Sequence, residues 1–486
     1  MTELIILLYL LTVLGIGWLS NRRFRGTGED YFLASRSIGP FVLLMSLFGT
    51  HMTAFSLLGA SGEAYNRGIG VFGLMASSSA VVVPFLFFLI GVPLWKLGEK
   101  RRFLTQIQFF RERWDSQVLG FLLFLVIVAL MIPYLLIGVM GGGITLFNIT
   151  EGRVPEWVGG LLVCAVIFTY VSAGGVRGTA WVNTFQTLVF MVLGALTFGV
   201  VLNKLGGLQE ALATVARENP QLLVRGESFP IPKYMSYMLI PMSVAMFPHI
   251  FMHWLTAKSS RSFRVPMLWY PVCIAIVWLP SVLLGIMGTL DFPGLNGPAA
   301  NSVLVKMVAA YAPGVLGGLL GAGVFAAIMS SLDSQTLAVG TMFTQDVMKG
   351  FLGKNLSPEQ EVWWGRGFVL AILSLIYLIS LVADRSIFGL AVWSFSGFSA
   401  LLPVVVAALY WRRSTALGAI LAVALTGVSW LYFFLTSAHI PGYSVGSSGV
   451  MPVAVMLLLS TLGMIGGSLV SPAPSKSRLD KFFTAP

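Results

Sequence analysis

Residues 326–335 read Ala326-Ala327-Ile328-Met329-Ser330-Ser331-Leu332-Asp333-Ser334-Gln335 and lie inside a long apolar run. Two adjacent hydroxyls and a carboxylate are costly in such surroundings unless they bind something. On a helix, Ala327, Ser330 and Ser331 stand at i, i+3 and i+4 and share one face. A carbonyl and two hydroxyls facing the same way are hard, neutral oxygens. They suit a small hard cation such as sodium and lack the thiolates or imidazoles of a transition-metal site. The competing reading is a pair of serines bonding back to the preceding turn.

Composition places this stretch in a membrane. The chain has 486 residues, of which 57% are hydrophobic and 10% charged, against about 25% charged in soluble proteins. Cys164 and Cys273 sit in apolar runs, so neither a disulfide framework nor a metal knuckle is expected. Apolar runs long enough to cross a bilayer fall at 3–20, 39–60, 71–95, 117–140, 157–173, 182–203, 235–257, 266–290, 314–342, 367–383, 386–410, 416–436 and 449–470, giving spans 1 to 13. Residues 3–20 read as the first span rather than a leader, because Arg22 and Arg23 follow them and no small-residue cleavage site does.

With the amino terminus outside, eight of the 30 basic residues fall on the outer side, Arg67 and Arg153 among them. The other 22 gather on the opposite side, in clusters such as Lys100-Arg101-Arg102 and Arg412-Arg413. This positive-inside bias puts the tail, residues 471–486, in the cytoplasm. The net charge of +11 is therefore a topology signal, and nucleic acid is not expected as a partner. The chain shows no GxxxxGK[ST] loop, no HExxH and no Ser/His/Asp arrangement, so neither ATP hydrolysis nor enzymatic chemistry is expected. It reads as a single membrane transport domain over 1–486, without a soluble domain.

Span 2 is interrupted at Gly49-Thr50-His51, with polar residues through Thr53, and span 7 is interrupted by Pro241 and Pro248. Their odd offset makes the two segments cross in opposite directions. Paired broken helices in an inverted repeat point to a midplane binding site in secondary transporters. Unwound backbone at that depth must line a cavity or hold an ion. The plainer alternative is that Gly and Pro are frequent in membrane helices.

Four motifs then stand in order along the chain. Asp30-Tyr31-Phe32-Leu33-Ala34-Ser35-Arg36-Ser37-Ile38-Gly39 resembles the first cytoplasmic loop of the sodium:solute symporter family. Gly174-Gly175-Val176-Arg177, with Trp181 and Gln186, is similar to the signature after span 5. Ala327 to Gln335, with Thr344-Gln345-Asp346, resembles the span 9 sodium motif. Tyr410-Trp411-Arg412-Arg413, with Gly418-Ala419, resembles a second signature. The resemblance implies an all-α integral membrane protein with a LeuT-type five-plus-five core, spans 2–6 and 7–11, over about 39–410. Extra spans follow at about 416–470.

It also implies a sodium site where span 2 meets span 9. The ligands carried over are the carbonyls of Gly49, Met52 and Ala327 and the hydroxyls of Ser330 and Ser331. The family often has Asp where this chain has Asn183, so a second cation site or a carboxylate-assisted sodium exit is in question. Asp333 reads either as a guide for the leaving ion or as a cap on a neighbouring helix.

The unwound part of span 2 nominates Thr50, His51, Thr53 and Ser56 as solute contacts, and the resemblance adds Ser243 and Phe247. His51 can donate as a neutral imidazole or pair with a carboxylate when charged; its alternative is satisfaction by helix carbonyls. His249 and His253 read as structural residues near the cytoplasmic end of span 7. The expected function is sodium-coupled symport of a small organic solute, with a monocarboxylate or related organic acid preferred. An amino acid such as proline, pantothenate, a sugar, proton coupling and a transporter-like sensor are the alternatives. Sodium is the coupling ion and no cofactor or obligate protein partner is expected. The location expected is the plasma membrane.

Overall fold

In a bilayer every backbone N–H and C=O must be satisfied within the protein, so apolar spans of this length fold as helices. The computed structural model describes residues 2–21, 36–226, 229–312, 314–383, 386–440 and 442–483. Among the described residues the regular structure is all helix, apart from one isolated β-bridge between Ile38 and Ala257. The stretch Asp30 to Ser35 of the first motif lies outside the described residues, and of Ala173 to Arg177 only the backbone is described.

Among the described residues, ten helices are long and apolar enough to cross a membrane. Two further pairs are bent at a break: Pro40–His51 with Phe55–Arg67 by 61°, and Ile231–Ala245 with Pro248–Leu255 by 48°. With the shorter apolar helix Glu156–Ser172, each stretch read from the sequence as a span has a helical counterpart. One boundary differs. The sequence separates spans 5 and 6, whereas helical bonding runs unbroken from Glu156 to Lys204; the connecting residues contain no proline to stop it.

Contacts sort the connecting segments into the two groups defined by the charge bias. Glu3 pairs with Arg153 at 2.8 Å, and the Ile69 amide donates to the Leu222 carbonyl at 2.7 Å, on the side read as outer. On the other side, the Arg36 guanidinium donates to the Phe103 carbonyl at 3.0 Å and that of Arg113 to Ser414 Oγ at 3.1 Å.

Span 9 is the axis of the molecule. Every side chain from Leu320 to Met342 is buried, because spans 1, 2, 4 and 6 all pack on it. Span 10, Pro358–Ser380, buries only Val369, Ile372, Leu373 and Ile376, and so lies at the periphery.

The two breaks have different causes. In span 7, Pro248 opens the inner helix and Phe247 sits ahead of it in extended conformation (φ −64°, ψ 122°), as the residue before a proline prefers. In span 2 neither proline nor glycine stands at the break. Met52 leaves the helix at φ −81°, ψ 113°, and nearby side chains take up the freed amides. Thr53 Oγ1 accepts from the Phe55 amide at 2.9 Å, and Ser56 Oγ accepts from the Thr53 amide at 3.1 Å.

Candidate functional site: two broken spans around a buried polar centre

The inner half of span 2, Pro40–His51, ends inside the protein. The last carbonyls of a helix lack intrahelical partners and carry the negative end of the helix dipole. That end meets the midpoint of span 9. Ser330 Oγ donates to the Gly49 carbonyl at 2.9 Å and stands 3.2 Å from the Ala327 carbonyl. Ser331 Oγ donates to the Ile328 carbonyl at 3.0 Å. The back-bonding weighed as the alternative is thus present, but it occupies the hydroxyl protons and leaves oxygen lone pairs for a cation. Ser330 Oγ thus stands within hydrogen-bond reach of both the Gly49 and the Ala327 carbonyl oxygens. No fixed charge competes among them.

This approach requires glycine at position 49. A Cβ there would stand 2.1 Å from Thr187 Oγ1 and 3.4 Å from the Asn183 carbonyl oxygen. Thr187 Oγ1 itself donates to the Met45 carbonyl at 2.9 Å, so span 6 clamps span 2 against span 9.

One turn further along span 9 is a polar network. Tyr170 of span 5 donates to Asp333 Oδ2 at 2.9 Å, and Ser334 Oγ donates to Asp333 Oδ1 at 3.0 Å. Asn183 Nδ2 donates to Ser334 Oγ at 2.8 Å, and His253 Nε2 lies 3.2 Å from that hydroxyl. Asp333 therefore joins span 9 to span 5 rather than capping a neighbouring helix.

Between the two breaks lies an aromatic cluster. His51 Nδ1 is 2.5 Å from the Tyr270 hydroxyl of span 8, and its ring lies 6.1 Å from that of Phe247. The partner of His51 Nδ1 is thus a tyrosine hydroxyl rather than the helix carbonyls weighed as its alternative. The Phe247 ring meets Phe395 at 5.3 Å and Phe398 at 5.0 Å, both from span 11. It also stacks on His249 at 5.2 Å, and Tyr134 of span 4 covers His249 at 5.7 Å.

His249 departs from its sequence reading. It is 1% exposed, and among the described residues neither ring nitrogen has a hydrogen-bond partner. The reason is the break: the inner helix begins at Pro248, so His249 is its second residue and sits at the break, away from the cytoplasmic end. His253 is likewise buried, at 3% exposure, with Nδ1 unpartnered.

The other nominated residues divide. The Thr50 hydroxyl is buried and unpartnered. Thr53 and Ser56 use their hydroxyls at the break, Ser56 also donating to Met52 Sδ at 3.3 Å. Ser243 is buried, and its carbonyl accepts from the Met246 and Phe247 amides at 2.9 and 3.2 Å; it shapes the turn of span 7. Sequence reasoning missed Tyr134, Tyr170 and Tyr270. Their signal was a lone tyrosine in an apolar run, which by itself cannot be told from packing.

Two opposed broken helices, with polar groups buried at their breaks, are the arrangement of a secondary carrier of the inverted-repeat type. A family model of the sodium:solute symporter family matches residues 31–427, and the chain belongs to that family. It is 27% identical to the sodium/proline symporter of Escherichia coli (strain K12) over 91% of this chain and 89% of that one. It is also 27% identical to the sodium/pantothenate symporter of the same strain, over 95% and 94%. With the osmoregulated proline transporter OpuE of Bacillus subtilis (strain 168) the identity is 26%, over 97% and 95%. Among solved structures, a Na+-coupled sialic acid symporter in a substrate-bound outward-open state superposes with a TM-score of 0.80, at 16% identity over 97% of this chain and 98% of that one. The closed conformation of Mhp1, a nucleobase-cation-symport-1 family transporter, gives 0.60 at 14% identity, over 93% and 98%. Both likenesses are of fold. By family membership the chain is a multi-pass membrane protein and a sodium-coupled symporter of a small solute.

Proposed function

We propose that the chain carries a monocarboxylate or related organic acid together with sodium across the plasma membrane by alternating access. The amino terminus lies outside and the carboxyl terminus in the cytoplasm, and the carrier performs no enzymatic step. Sodium binds to the carbonyls of Gly49, Met52 and Ala327 and the hydroxyls of Ser330 and Ser331, at the negative end of the inner half of span 2. The solute binds at Thr50, His51 and Phe247, with Thr53, Ser56 and Ser243 holding the two breaks. Asp333, next along span 9, and Asn183 of span 6, bonded to Ser334, form the path by which the ion leaves.

The observation that carries the solute class is His249, whose two ring nitrogens are buried without partners. It stands at the amino end of the inner half of span 7, where the helix dipole favours an anion. A neutral imidazole there donates one hydrogen bond to a carboxylate. Proline and pantothenate, named for two of the relatives, each carry one carboxylate, which suits the same contact. An ammonium group would need an acceptor beside the solute, and the unpartnered groups at the breaks, the His249 imidazole and the Thr50 hydroxyl, carry no negative charge. That favours an organic acid over an amino acid.

The test is uptake into proteoliposomes under an imposed sodium gradient, with candidate solutes as competitors. Small monocarboxylates are expected to compete and their amides to fail. Competition by proline alone would give the site to the amino-acid reading, and competition by amides as strong as by acids would remove the carboxylate contact.

A further inference from the structure

The segment Lys476–Phe483 forms a short helix on the side read as cytoplasmic. Phe482 is 3% exposed and its ring lies 5.8 Å from that of Phe109. The Arg113 guanidinium stands over Phe482 and Phe483, 5.5 and 4.9 Å from the ring centroids, and that of Arg412 stands 5.2 Å from Phe483. An aromatic pair is thus seated between two arginines.

What it sits on is the packing that covers the inner ends of the two broken spans. Phe109 belongs to the short helix Gln106–Trp114, between spans 3 and 4. The Phe109 ring meets Phe251, on the inner half of span 7, at 6.3 Å. Arg113, 1% exposed, donates to the Ala408 carbonyl at 3.0 Å and the Trp411 carbonyl at 3.1 Å, which pins that helix to the inner end of span 11. Beneath it the two broken spans are tied together. The Ile38 amide donates to the Thr256 carbonyl at 3.0 Å, and the Lys258 amide to the Ile38 carbonyl at 2.9 Å. Arg36 also donates to the Leu255 carbonyl at 3.2 Å, and Trp95 to that of Ala257 at 2.8 Å. A solute leaving inward has to part these contacts, and the helix Gln106–Trp114 has to shift with them.

We propose that Lys476–Phe483 is a releasable latch. Docking of Phe482 and Phe483 on Phe109, Arg113 and Arg412 holds the helix Gln106–Trp114 against span 7 and biases the carrier towards the state closed on its inner side. Two features make the latch releasable. It joins span 13 through Ser471-Pro472-Ala473-Pro474-Ser475, which is not helical and whose prolines keep it so. A helix of this length is also marginal once undocked, so it leaves without unfolding the body. The proposal rests on the alternating-access reading, but its test needs neither sodium nor a known orientation.

A reporter cysteine replaces the buried Thr256 (T256C) in a C164S/C273S background, and the purified protein in nanodiscs is labelled with a hydrophilic maleimide. Relative to this parent, F482A/F483A is expected to label severalfold faster. A synthetic peptide of residues 472–486 is expected to return the rate towards the parent's, and the same peptide with both phenylalanines replaced by alanine is not. Unchanged labelling in F482A/F483A overturns the proposal. So does a double variant that cannot be recovered folded, since the segment would then be part of the body's packing rather than a latch. Faster labelling in the double variant, with a parent whose uptake does not depend on sodium, would instead strike the transport reading and leave the latch standing.

Discussion

At Gly49 one methyl group decides whether span 2 can reach span 9. A Cβ 2.1 Å from Thr187 Oγ1 forces a shift in well-packed surroundings, and such overpacking costs about 1–3 kcal/mol. Gly49→Ala is expected to lower the thermal stability of the purified carrier by that order, and Thr187→Ala in the same molecule to recover part of it, because residues in contact couple. Recovery no greater than additive would place the strain elsewhere. His249→Ala removes the unpartnered imidazole and is expected to raise KM for the solute about tenfold, the equivalent of about 1.4 kcal/mol, with sodium-dependent stabilisation retained. An unchanged KM would exclude the imidazole from the solute site. The shared face of Ala327, Ser330 and Ser331 was legible because helical spacing alone places it. The partners of His51 and Asp333 were not: Tyr270 and Tyr170 lie 219 and 163 residues away in the chain, a separation that local pattern does not bridge.

The elements that matter are the two breaks. Polar residues in span 2 and prolines in span 7 announced both. Where each break falls was harder to read, because the span 2 break uses neither Gly nor Pro but the side chains of Thr53 and Ser56. A straight span 7 over 235–257 carries His249 towards the cytoplasm. The observed span begins at Ile231 and bends before Pro248, which holds His249 back at the break. Pro248→Ala restores an N–H and relaxes the restriction on Phe247, so the helix can continue across the bend. Transport is expected to fall by at least about tenfold while sodium-dependent stabilisation persists; wild-type uptake in this variant would show that the bend does not depend on the proline.

For the whole molecule, the thirteen apolar stretches and the sorting of basic residues were readable because the bilayer imposes both length and charge rules. The unbroken helix from Glu156 to Lys204 was not, since glycine pairs can either turn or continue. The energetics follow from the charge carried. One sodium crossing about 100 mV releases roughly 2.3 kcal/mol, nearly two decades of concentration, but a monoanion moving with it cancels that charge. With Asn183 in place of a carboxylate, the account favours a single sodium. Uptake of a monocarboxylate is then electroneutral, and whole-cell recording is expected to show no steady inward current; a sustained inward current would require a second cation.

The central claim is that span 2 and span 9 close on sodium, and the most direct measurement of it is the thermal stability of the purified carrier titrated with sodium at constant ionic strength. An ion bound only by the folded state adds RT ln(1 + [Na+]/Kd), about 2.7 kcal/mol at a hundred times Kd. The account predicts a saturable rise in melting temperature for the wild type and none for Ser330→Ala/Ser331→Ala. A wild type indifferent to sodium, or a double variant stabilised as strongly as the wild type, would contradict it.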